Sequence, residues 1–214
     1  MSLNTLRNTL IASFALSVVA FAQPNATVDT QYQVRYISNL NLGDSVVNIT
    51  NSGARGAGLA AGTTAATTGA ICVNVYAFSP DEQMISCCSC PVTPNGLVSL
   101  SARRDLVNNT LTPAVPTSIV VKLLASTPQG GSCTGSAAAP SGLTSGMLAF
   151  GTTVHAGAVT GSEAAITETQ FLPATLSTGE LGRLTSLCTF INANGSGFGI
   201  CSSCRLGGLG AGRL

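Results

Sequence analysis

Eight cysteines are the residues of this chain best equipped for chemistry: Cys72, Cys87, Cys88, Cys90, Cys133, Cys188, Cys201 and Cys204. Their spacing allows three kinds. Cys87-x-x-Cys90 and Cys201-x-x-Cys204 have the paired spacing of a four-thiolate zinc site, in which two short knuckles close a tetrahedron around the metal. A redox-active dithiol is the second kind, and it needs a Cys-x-x-Cys at a helix amino terminus to lower the thiol pKa. Cys90 runs into Pro91, and Cys204 into Arg205 and glycines, so neither pair opens a helix. Disulfide bonding is the third, and it suits an even count in an oxidising compartment. Connectivity stays open, because eight cysteines can pair in on the order of a hundred ways. One local constraint exists: in an extended segment Cys87 and Cys88 point to opposite faces and must take different partners.

Other candidate chemistry is thinner. His155 is the sole histidine, and a Ser/His/Asp arrangement with Asp81 or Asp105 lacks the G-x-S-x-G elbow that exposes a nucleophile. A lone His between Val154 and Ala156 reads as a structural or partly exposed strand residue. Paired carboxylates for glycoside hydrolysis must face each other, yet Asp81 and Glu82 sit in a turn and Glu180 at a helix start. Gly56, Gly58 and Gly62 mimic a dinucleotide-binding turn, but the helix that must follow is replaced by a Thr/Ala run, so the segment reads as a loop. Tyr32, Tyr36 and Tyr76 are the available stacking surfaces for a glycan. Asn25, Asn48, Asn108 and Asn194 each head an N-x-[ST] sequon, relevant only in a glycosylating secretory pathway.

The amino terminus chooses among the cysteine readings. Arg7 is the only charge in the first 28 residues, an apolar run covers Leu10 to Ala20, and Ala20-Phe21-Ala22 supplies the small residues of a cleavage site. Residues 1–22 therefore read as a secretory leader cleaved before Gln23, the run being shorter than the roughly 20 residues that span a bilayer. No apolar anchor is expected in the mature form. Export favours disulfides for all eight cysteines, leaving zinc on Cys87, Cys90, Cys201 and Cys204 as the alternative; no cofactor is expected. Only 8% of the 214 residues are charged, 9 basic against 8 acidic, where soluble domains carry about a quarter. That balance removes the electrostatic term that drives nucleic-acid binding.

The elements that position these residues are mostly strands. QYQVRYISNL (31–40) alternates, with Tyr32, Val34 and Tyr36 on one face and Gln33 and Arg35 on the other; 44–50 is a second strand, and the turn-rich 39–43 suggests a hairpin. Ile71 to Ser79 is β-branched and aromatic, and Met84 to Cys88 should pair with it. Leu97 to Ala102, the doubly apolar Pro116 to Ser126, Met147 to Ala156 and Ala165 to Leu172 complete the strands, and Arg103 to Asn109 is a helical turn. Residues 53–70 and 130–142 read as Gly/Ser/Ala loops, the second floppy unless Cys133 is tied down. One helix stands out: Ser177 and Glu180 form a capping box, Leu181, Leu184, Leu187, Cys188 and Ile191 make an apolar stripe, and Asn194-Gly195 stops it. A bridge from Cys188 to a sheet cysteine would pin it.

The strings ICVNVYAFSPDEQMISCCSCPVTPNGLVSL and CTFINANGSGFGICSSCRLGGLGAG resemble secreted bacterial cysteine-rich proteins with no assigned activity, over about half of the mature chain. The resemblance implies export and no mechanism. The expectation is a mainly β, antiparallel, sandwich-like domain over 23–204, disulfide-stapled, with one late packed helix and a glycine-rich tail at 205–214. Few charges protect its strand edges, so a secreted structural, adhesive or assembly-forming role outside the cell or at its surface leads, self-association proceeding by strand addition from 23–40 or the tail. An extracellular ligand- or glycan-binding module is the alternative, and a secreted hydrolase using His155 the third.

Overall fold

The computed structural model describes residues 30–58, 68–136, 138–155, 165–201 and 204–206. The leader expected at 1–22, the middle of the 53–70 run and most of the glycine-rich tail expected at 205–214 lie outside them. Ten strands form two five-stranded antiparallel sheets. One has the order β4 (Met84–Val92), β3 (Ile71–Phe78), β6 (Ile119–Ser126), β1 (Tyr32–Ile37), β9 (Leu172–Pro173). The other runs β10 (Arg205–Leu206), β5 (Leu97–Ser101), β2 (Val46–Asn51), β7 (Met147–His155), β8 (Ala165–Gln170). The helix α1 (Thr178–Asn194) lies on the outer face of the first sheet, making three layers.

Alternation along the strands builds two cores. Ile71, Val73, Val75 and Ala77 of β3 and Ile119, Val121 and Leu123 of β6 face the sandwich interior, against Val47, Ile49, Val98, Leu100 and Met147 of the opposite sheet. Their neighbours Tyr76, Phe78 and Leu124 face the helix, against Leu181, Leu184, Cys188 and Ile191. A sheet covered on both faces needs strands apolar on both faces, which is why every residue of β3 is buried. β6 sits between β3 and β1, central as its composition required.

Three local expectations are corrected. The hairpin across 39–43 does not form: β1 pairs with β6 and β9, β2 with β5 and β7, and the chain crosses between sheets at the turn. In β1 the alternation is right but the polar face, with Gln33 and Arg35, is the one turned to the opposite sheet. Gln33 is buried and its amide donates to the Met147 carbonyl at 2.9 Å. The capping box is half made: Ser177 Oγ accepts the Glu180 N–H at 3.1 Å, while the Glu180 carboxylate instead reaches Lys122 Nζ at 2.6 Å and ties the helix to β6. Gly195 ends the helix at φ +67°, a left-handed position that glycine adopts without strain. Residues 102–106 form a single π-type turn, capped by Ser101.

Candidate functional site

The cysteines form four bridges: Cys72–Cys133, Cys87–Cys188, Cys88–Cys201 and Cys90–Cys204, with none left free. Strand geometry explains the split at Cys87 and Cys88. Cys87 faces outward and pins α1 to β4, whereas Cys88 and Cys90 share the inward side and hold the carboxyl-terminal segment. The four-thiolate set containing Cys87 is thereby corrected: Cys87 lies on the helix side of β4, away from Cys90 and Cys204, and is bonded to Cys188. Cys72 on β3 holds the 130–142 loop through Cys133.

These bridges make the two sides of the sandwich unlike. On the β4 side the edge is covered in part. Cys87 N–H donates to the Gly199 carbonyl at 2.8 Å and the Cys201 N–H to the Cys87 carbonyl at 3.3 Å, so 199–201 runs alongside β4. Next to it, β10 pairs with β5. Arg205 and Leu206 therefore belong to a strand, although their sequence reads as the start of a glycine-rich tail; Cys90–Cys204 holds them there. On the other side, β8 pairs only with β7 and β9 only with β1 among the described residues. The chain passes from β8 to β9 through Phe171, which is buried in the sandwich core, so both open edges lie together.

A groove of about 640 Å³ follows this open side, lined by Arg35, Tyr36, Thr169, Leu172 and Pro173 among others. Tyr36 is 62% exposed, Leu172 71% and, on the neighbouring β8, Ile166 60%. Arg35 clasps the two sheets beneath it. Its Nη1 donates to the Thr169 carbonyl at 3.0 Å, its Nη2 to Thr153 Oγ1 at 2.9 Å, and its guanidinium lies 6.0 Å from the Phe171 ring centre. Burial lowers its pKa from the usual arginine value, partly offset by Glu168. Gly151 makes the clasp possible, since a Cβ there would meet Arg35 Nε at 2.5 Å.

The other sequence candidates do not converge. His155 lies exposed at the end of β7 with Nε2 at 2.7 Å from Thr167 Oγ1. Asp105 is buried and accepts the Ser101 N–H, and Asp81 takes the Ser79 hydroxyl. Tyr32 and Tyr76 are buried under α1, where burial raises the Tyr32 phenol to about 12, Glu180 adding to the shift, and pushes Tyr76 further still. Tyr36 alone stays accessible for stacking. The Asn48 amide is bound to Glu168 and Ser99 on the outer face of the second sheet. Sequence reasoning missed the Arg35 clasp and the open edge, because neither follows from local spacing. Compared with known proteins, the chain matches no family model, no curated protein and no solved structure. Among the described residues no helix is long and apolar enough to cross a membrane.

Proposed function

We propose that this is an exported structural or adhesive module, held rigid by its bridges and assembling outside the cell through its open edge. The observation that carries the reading is the contrast between the two sides: the β4 edge is partly covered by 199–201 and tied to the carboxyl-terminal segment by two disulfides, whereas the other side is left with the exposed strand β8 and no bridge among the described residues. β8 (AITETQ) carries one charged residue, Glu168, and that carboxylate is engaged by Asn48. Monomeric proteins blunt such edges with lysine, proline or bulges; here those devices are missing from the strand, and its outer side, paired with no other strand among the described residues, suits addition of a strand from another chain. Four bridges and the leader-like amino terminus support export.

Light scattering after size exclusion, over a concentration series at neutral pH, tests it. Self-association that Ile166→Lys abolishes supports the reading; a monomer at every concentration sinks it. A second reading has its own observation: Tyr36 stands in an open groove beside Leu172 and Pro173, an arrangement suited to stacking an extracellular ligand such as a glycan. Glycan-array binding lost in Tyr36→Ala, with assembly unchanged, would move the assignment there.

A further inference from the structure

The sulfurs of Cys88, Cys90 and Cys204 all lie within 4.8 Å of one another, although they belong to two different bridges. The fourth sulfur, of Cys201, is bonded to Cys88. We propose that, when reduced, Cys88, Cys90, Cys201 and Cys204 form a four-thiolate site for one zinc ion, so that the same four residues staple the carboxyl-terminal segment either by two disulfides or by metal.

The geometry is local and backbone-driven. Cys88 and Cys90 are two apart on one strand, so both thiols project from the same face of β4, and Cys201 and Cys204 are each held beside them by a bridge. Zn–S bonds of about 2.3 Å place tetrahedral sulfurs roughly 3.8 Å apart; Cys88, Cys90 and Cys204 already lie within 4.8 Å of one another, and Cys201, outside that set, is to join them once its bond to Cys88 is broken. Cys88 and Cys204 are half-buried, which leaves an entry path and lets water solvate the charge of the metal–thiolate cluster; Cys90 and Cys201 anchor it to the sandwich core. Cys87, Cys188, Cys72 and Cys133 take no part: the first pair lies on the opposite face of the sheet, under the helix, and the second holds the 130–142 loop.

The chemistry balances with an external dithiol as reductant. Each of the two S–S bonds accepts two electrons and two protons, giving two thiols, and each dithiol leaves as its own cyclic disulfide. Zinc then displaces four protons to solvent and forms four Zn–S bonds, with a net charge of two minus.

The test uses the full chain, reduced with a dithiol, freed of excess reductant under anaerobic conditions, and titrated with Zn²⁺ or Co²⁺. Native mass spectrometry should find one metal per chain, and Co²⁺ should give the intense visible bands of tetrahedral thiolate coordination. Alkylation before digestion should then leave Cys88, Cys90, Cys201 and Cys204 protected by zinc, with Cys72, Cys87, Cys133 and Cys188 modified. Cys90→Ser should weaken binding by at least about 100-fold, more than is usual for loss of an outer-shell partner, while the double change Cys72→Ser/Cys133→Ser retains it. Absence of the cobalt bands, or a protected set that includes Cys87 or Cys188, overturns the proposal. A reduced chain that unfolds and binds metal without a defined protected set overturns it equally.

Discussion

Removing the Cys87–Cys188 bridge is the perturbation whose cost follows most directly from how the bridges nest. Taken alone, it closes a sequence separation of 101 residues, for which the chain-entropy estimate is about 4.7 kcal/mol. The other bridges change that number. Cys88 is already bonded to Cys201, so the covalent path from Cys87 to Cys188 runs through the neighbouring bridge and back along the helix end, about 15 residues, for which the same estimate is about 3 kcal/mol. If Cys88–Cys201 and Cys90–Cys204 are both replaced by alanine pairs, the shortest path runs through Cys72–Cys133 and lengthens to about 70 residues, and the estimate rises by about 1.4 kcal/mol. The packing lost with the buried sulfurs of Cys87 and Cys188 is common to both arms of this cycle and cancels. Denaturant unfolding of the wild type, of each variant and of the combined variant should therefore give a coupling of about 1.4 kcal/mol. The bridge matters more once its neighbours are gone. Replacing Cys90–Cys204 alone leaves the short path through Cys201 intact, so that arm should show coupling of about zero. Equal costs in all backgrounds, or a bridge that matters less once its neighbours are removed, would refute the argument.

Three further outcomes follow from packing and charge. Leu184→Ala, fully buried between α1 and the sheet, should lower stability by about 2–5 kcal/mol, whereas Phe190→Ala on the exposed face of the same helix should stay within about 0.5 kcal/mol; denaturant midpoints compare them. Arg35→Met removes the bonds that tie β1 to Thr153 and Thr169, with an expected loss of about 1–3 kcal/mol and an unchanged denaturant slope. Tyr32 is held protonated in the fold, its pKa raised to about 12 from the ordinary 10, so its contribution is complete below pH 10 and is lost as pH rises through 12. Thermal midpoints measured up this range should fall less steeply for Tyr32→Phe than for the wild type.

Strand and helix identity were readable from residue type because the evidence is local. The apolar runs at 71–79 and 116–126 specify strands buried on both faces, and the stripe from Leu181 to Ile191 specifies one packed helical face. The opposite destinations of Cys87 and Cys88 follow from strand alternation alone. Partner choice was decided only in three dimensions. The 39–43 turn sends β2 to the other sheet, where it pairs with β5 and β7 while β1 pairs with β6 and β9, and Gln33 and Arg35 point inward because the opposite sheet supplies the Met147 carbonyl, the Thr153 hydroxyl and the space above Gly151. The bridged and open sides of the sandwich depend on where residues 199–206 return. That is a property of long-range pairing, in which backbone bonds and sulfur atoms meet across more than a hundred residues, and periodicity within any one segment carries no record of it.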